Sequence, residues 1–270
     1  MTIEKNQLLT TPGKKPILLD SYYEGDKTNK PTVVFCHGYK GFKDWGAWHL
    51  VAEAFSQAGF YFVKFNFSHN GGTVDNPIDF PDLEAFAQNN FTTELDDLDR
   101  VLNYLNRSQV SLIGHSRGSG IVLIKAEEDA RVDKVISWAG VSNYKARFYE
   151  GTEAFAQWKE TGITYIENSR TKQQLPHYWQ FYEDFITNEE RLTIERAVRA
   201  LGKPQLIVHG DGDTTVLIEE AHTLQSWNPN GQLQVIKGGD HVFGAKHPWE
   251  SKLLPEDLER VVKLTVEFLG

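Results

Sequence analysis

Val110-Ser111-Leu112-Ile113-Gly114-His115-Ser116-Arg117-Gly118 is a short β-rich run that ends abruptly in a Gly-x-Ser-x-Gly turn. Ile121-Val122-Leu123-Ile124-Lys125-Ala126 follows and reads as helix. A strand, a sharp turn and a helix in direct succession form one unit of an α/β layer structure. Glycines two residues either side of Ser116 let other backbone approach the turn closely.

The same alternation extends in both directions. Val33–Cys36 and Tyr61–Phe65 precede this unit, and Val135–Trp138, Gln205–Val208 and Leu233–Ile236 follow it. These runs are mostly continuous in their apolar character rather than alternating. That pattern suits strands of a parallel sheet covered on both faces. Leu95, Leu98, Leu102 and Leu105 fall at helical spacing, with Thr92 or Thr93 placed to cap them. Val51, Phe55 and Ala58 mark an earlier helix that stops at Gly59, and Pro255 opens a last one carrying Leu258, Val261, Thr265 and Phe268. The expected fold is α/β, with a mostly parallel central sheet and helices on both faces. Ile17–Tyr23 is expected as an antiparallel strand at the sheet edge.

Two connections exceed what a crossover needs. The first, Ser68 to Thr93, contains Gly71-Gly72, Asn76-Pro77 and Phe80-Pro81. The second, Val141 to Gly202, is expected to be a helical cap inserted into the core. The domain reading is therefore residues 1–140 and 203–270 as core, and 141–202 as cap. Eleven aromatics lie in the insertion. Core packing explains most rings at helical spacing, but so many in so few helices could also roof a pocket. Tyr144, Phe148, Trp158 and Trp179 are the candidate lining residues.

Ser116 is the candidate nucleophile. A serine hydroxyl attacks poorly unless a base removes its proton. Of nine histidines, His241 stands out, because Gly238-Gly239-Asp240-His241 follows the last strand. An imidazole base needs a carboxylate to set its tautomer. His209-Gly210-Asp211-Gly212-Asp213 offers two, directly after Gln205–Val208; Asp213 is preferred, and Asp211 reads as a turn residue. His37-Gly38-Tyr39 adds another loop at a strand end.

With these motifs the chain resembles the α/β-hydrolase superfamily, most closely its dienelactone-hydrolase-like and acyl-esterase branches. The order Ser116, Asp213, His241 matches the family order of nucleophile, acid and base. The resemblance runs from Pro31 to Gly270. It implies backbone N–H groups of Tyr39 and Arg117 as oxyanion donors; the Arg117 side chain itself reads as structural, with an acid as one partner open to it. It further implies hydrolysis of a small or aromatic acyl ester through an acyl-enzyme. Thioesters and amides use the same machinery, so thioesterase and peptidase remain alternatives, as does a binding protein without catalysis.

Composition narrows the partners. Lys and Arg total 28 against 37 Asp and Glu, a net charge of −9. That disfavours nucleic acid and anionic membrane, and leaves a small-molecule substrate as the expected partner. The single cysteine, Cys36, excludes an intrachain disulfide and a cysteine zinc site, and reads as buried core in a cytoplasmic protein. No cofactor and no metal are expected: His-Glu-x-x-His, the P-loop and the dinucleotide glycine fingerprint are missing from the sequence. Composition leaves the oligomeric state open.

Overall fold

The computed structural model describes all residues, Met1–Gly270. Ten strands form: β1 Thr2–Leu9, β2 Ile17–Tyr23, β3 Thr32–Cys36, β4 Tyr61–Phe65, β5 Val110–His115, β6 Val132–Trp138, β7 Ile163–Glu167, β8 Gln174–Tyr178, β9 Gln205–Gly210 and β10 Gln232–Ile236. The helices are α1 Trp48–Gln57, α2 Leu83–Gln88, α3 Phe91–Leu105, α4 Arg117–Glu128, α5 Glu153–Thr161, α6 Gln180–Thr187, α7 Glu189–Leu192, α8 Ile194–Ala200, α9 Ile218–Trp227 and α10 Glu256–Leu269. No helix is long and apolar enough to cross a membrane.

Eight strands make one sheet in the order β1-β2-β4-β3-β5-β6-β9-β10. From β4 to β10 every pairing is parallel, while β2 joins β4 antiparallel and β1 joins β2 antiparallel. This is the α/β-hydrolase fold. Successive side chains in each strand point to opposite faces, so the continuous apolar runs feed two cores. Val34, Cys36 and Leu112 pack with α3, α4, α8 and α9 in a cluster of 36 buried residues. Val33, Phe35 and Ile113 pack with α1 and α10 in a cluster of 23. Cys36 is fully buried, and burial pushes its thiol pKa up.

Four details differ from the sequence expectation. β2 is antiparallel but interior to the sheet, because β1 pairs outside it; β1 is too exposed and polar to carry an apolar signal. The cap of α3 is Asn90, whose Oδ1 accepts the Thr93 N–H at 2.8 Å, rather than a threonine. The Ser68–Thr93 connection contains the short helix α2, whose Phe86 packs with Phe80 and Leu175. The stretch 141–202 is not purely helical, since β7 and β8 form an antiparallel hairpin within it. Its last helix, α8, lies in the core layer with Ile194, Ala197 and Val198 buried beside α4. Leu175-Pro176-His177 is too short and mixed a run to reveal a strand.

β3 and β5 are neighbours whose onward connections leave in opposite directions. Such a switch point opens a crevice at the carboxyl ends of the strands. The loops after β3, β5, β9 and β10 meet there.

Candidate active site

Ser116 sits between β5 and α4 with φ 55° and ψ −122°, a sparsely populated region for a non-glycine residue. The surroundings hold it there. Its N–H donates to the Trp138 carbonyl at 2.9 Å, and Ser119 Oγ donates to the Gly114 carbonyl at 2.6 Å. A Cβ on Gly114 would lie 2.4 Å from the Gly118 carbonyl oxygen, and one on Gly118 would lie 2.5 Å from that of His37. Both positions exclude any side chain, which accounts for the two glycines that flank Ser116.

His241 Nε2 lies 3.0 Å from Ser116 Oγ, and its Nδ1 lies 2.7 Å from Asp213 Oδ2. An ionised carboxylate only accepts, so Nδ1 carries the proton and Nε2 is left bare toward the hydroxyl. Asp213 is anchored by its other oxygen, which accepts the N–H groups of Thr215 at 2.8 Å and Val216 at 2.9 Å. Burial opposes its ionisation. The close approach of His209 Nε2, 3.4 Å away, and hydrogen bonds from His241 and the Val216 amide outweigh that cost and hold its carboxyl well below the usual range. Asp211 points elsewhere and accepts the Gly238 N–H, closing the turn between two strand-end loops.

Tyr39 follows β3. Its N–H has no hydrogen-bond partner, and the Arg117 N–H opens α4, where helix geometry supplies none. A Cβ on Gly38 would lie 2.9 Å from Ser116 Cβ, so this loop passes directly over the serine. The Tyr39 hydroxyl lies 2.6 Å from His177 Nε2 on β8.

The Arg117 side chain turns from the serine into the interior. Its Nη2 lies 2.9 Å from Glu94 Oε1, and its guanidinium rests 4.6 Å from the Phe91 ring centre and 4.8 Å from that of Phe181. His115 Nε2 donates to the His241 carbonyl at 2.8 Å. Burial, with the neighbouring His241 adding to it, lowers the His115 pKa to about 3. His37 is likewise lowered to about 4 by burial. Both stay neutral and brace loops.

The cleft beside Ser116 has a volume of about 470 Å³ and includes Tyr39, Lys40, Trp45, Trp48, Arg170 and His241 in its lining. None of the four aromatics expected from the insertion lines it. Tyr144 stacks on Phe91 at 3.9 Å and donates its hydroxyl to the Arg117 carbonyl at 2.8 Å. Phe148 packs against Phe181 and Phe185, and Trp158 donates Nε1–H to the His177 carbonyl. Trp179 packs edge-on against Trp158. These rings bury one another, as core aromatics do, and the cleft takes its rings from Tyr39 and Trp45 on the loop after β3 and Trp48 at the start of α1 instead. Sequence reading also missed His177 and Glu94. Nothing local marks His177, and Glu94 reads as a helix-start acid unless its distance to Arg117 is known.

A family model described as alpha/beta hydrolase fold matches residues 31–162. The non-heme chloroperoxidase CPO-A1 of Kitasatospora aureofaciens is 24% identical, over 93% of this chain and 96% of that protein. Among solved structures, Est1E from Butyrivibrio proteoclasticus superposes with a TM-score of 0.74 at 18% identity, covering 98% of both chains. The esterase domain of a Rhodothermus marinus protein superposes at 0.68 and 19%, covering 99% of this chain and 98% of that one.

Proposed function

Since the chain belongs to the α/β-hydrolase superfamily, we propose that it is a serine hydrolase that cleaves carboxylic esters. One observation carries this reading. Ser116 Oγ, His241 and Asp213 form a continuous hydrogen-bonded line, 3.0 Å from hydroxyl to Nε2 and 2.7 Å from Nδ1 to the carboxylate.

The steps follow from the geometry. His241 Nε2 takes the Ser116 proton as Oγ attacks the carbonyl carbon, and Asp213 stabilises the imidazolium that forms. The carbonyl oxygen becomes negative and turns toward the N–H groups of Tyr39 and Arg117, the oxyanion donors in this reading. They lie ready without reorganisation, and each is worth about 3 kcal/mol in such sites. The imidazolium returns its proton to the leaving alcohol, giving the acyl-enzyme. Water, deprotonated by His241, then releases the acid and restores Ser116. Ester cleavage is the reading taken here, in keeping with the structural likeness to the esterase domain of the Rhodothermus marinus protein; thioester and amide cleavage use the same machinery. The buried thiol of Cys36 suits a cytoplasmic setting.

The test is a substrate panel of p-nitrophenyl esters of graded chain length, feruloyl esters, acyl-CoA thioesters and aminoacyl amides, with Ser116→Ala as control. Ester turnover lost in Ser116→Ala supports the reading. Turnover confined to thioesters or amides, or surviving Ser116→Ala, contradicts it.

A further inference from the structure

The charged side chains lining the cleft beside Ser116 are cationic. Lys40 and Arg170 contribute, and no carboxylate lines it. The chain as a whole is acidic, with a net charge of −9. A cationic cleft in an acidic protein focuses field toward one kind of ligand.

The two cations differ. Arg170, on the turn between β7 and β8, is already paired with Asp79. Lys40 has no ion pair and no hydrogen bond, and its ammonium lies 5.4 Å from the centre of the Tyr39 ring. It is half-buried, and that burial pushes its pKa down. An uncompensated, partly desolvated ammonium is a cost in the free protein, and a bound anion offsets it. Lys40 is also the residue next to Tyr39, on the loop that passes over Ser116.

We propose that the cleft takes esters that carry a second, ionised carboxylate, and that Lys40 is the specificity-determining residue that pairs with it. This rests on the ester-hydrolase reading above and names its substrate class. Arg170, neutralised by Asp79, borders the same space and contributes less. The carboxylate takes no part in bond making or breaking; it anchors one end of the substrate while the ester carbonyl meets Ser116.

The experiment compares kcat/KM for the mono-p-nitrophenyl ester of glutaric acid with that for the neutral p-nitrophenyl pentanoate. The anionic ester is expected to be preferred in the wild type, and high salt to reduce the preference. Lys40→Met should cut the anionic-to-neutral ratio about tenfold, and Lys40→Arg should retain it. Lys40→Glu should invert the preference, and circular dichroism checks that each variant is folded. A wild type that favours the neutral ester, or a ratio that Lys40→Met leaves unchanged, overturns the proposal. Failure of the wild type to cleave either ester, or cleavage that survives Ser116→Ala, would instead overturn the hydrolase reading on which it stands.

Discussion

Tyr39 and His177 are 138 positions apart in the chain, and their side chains meet at 2.6 Å. The contact ties the loop after β3 to the hairpin of the insertion. The same residue carries the unpartnered Tyr39 N–H. Trp158 fixes His177 in turn, by donating to its carbonyl at 2.9 Å. The insertion thus reaches the loop beside Ser116 through His177, while none of the four aromatics expected from it lines the cleft.

Removing this contact should weaken turnover more than binding. His177→Phe and Tyr39→Phe are each expected to lower kcat about tenfold with little change in KM, a fraction of the cost of losing an oxyanion donor. Because both remove one interaction, the double variant should lose little more than either single one. Steady-state kinetics on the four proteins checks this; fully additive losses would show that the contact does not act as a unit.

Asp213 and Asp211 should separate by activity. Asp213→Asn is expected to lower kcat by about 10⁴ while leaving the fold intact, because an amide presents the wrong hydrogen to His241 Nδ1. Asp211→Asn alters only a turn contact and should change kcat less than about threefold, the scale of a surface substitution. A comparable loss in both would remove the assignment.

Glu94 and Arg117 form a buried pair behind the serine turn. Glu94→Gln leaves the guanidinium charge unbalanced and should cost about 3 kcal/mol. Replacing both by methionine should recover most of that, since neither charge then remains buried. Urea unfolding of the three proteins measures it.

Acid should destabilise the fold. Burial lowers the pKa of His37 to about 4, and of His115 and His177 to about 3, from the ordinary 6.5. The unfolded chain therefore binds protons that the folded chain refuses. Their contribution to stability is full above pH 6.5 and is lost as pH falls toward 4. Asp97 works the other way, since burial raises it to about 6 and the folded state takes its proton first. Each net proton changes stability by about 1.4 kcal/mol per pH unit. Stability measured by urea unfolding between pH 7 and pH 4.5 should fall, and the slope should be shallower by about one proton in His177→Phe.

The sheet, and the convergence of Ser116, Asp213 and His241 at its strand ends, were legible in the sequence because strand-end motifs are local. Gly114 to Gly118 carries its own strand, turn and helix, and Asp213 and His241 each follow a recognisable apolar run. β1 was not legible, since its exposed polar residues lack any burial period. The hairpin was hidden for a similar reason, with β7 largely solvent-facing. The insertion's rings misled because composition counts aromatics without showing which way they face. Tyr144 and Phe148 were core, while Trp45 and Trp48 reached the cleft.

The central claim is that Ser116 is the nucleophile activated by His241. Treatment of the folded protein with a fluorophosphonate, followed by mass spectrometry of the labelled peptide, tests it directly. The predicted result is one label per chain, on Ser116, lost in Ser116→Ala and slowed by at least about a hundredfold in His241→Gln. Labelling that persists in Ser116→Ala, or a folded wild type that takes no label, would contradict it.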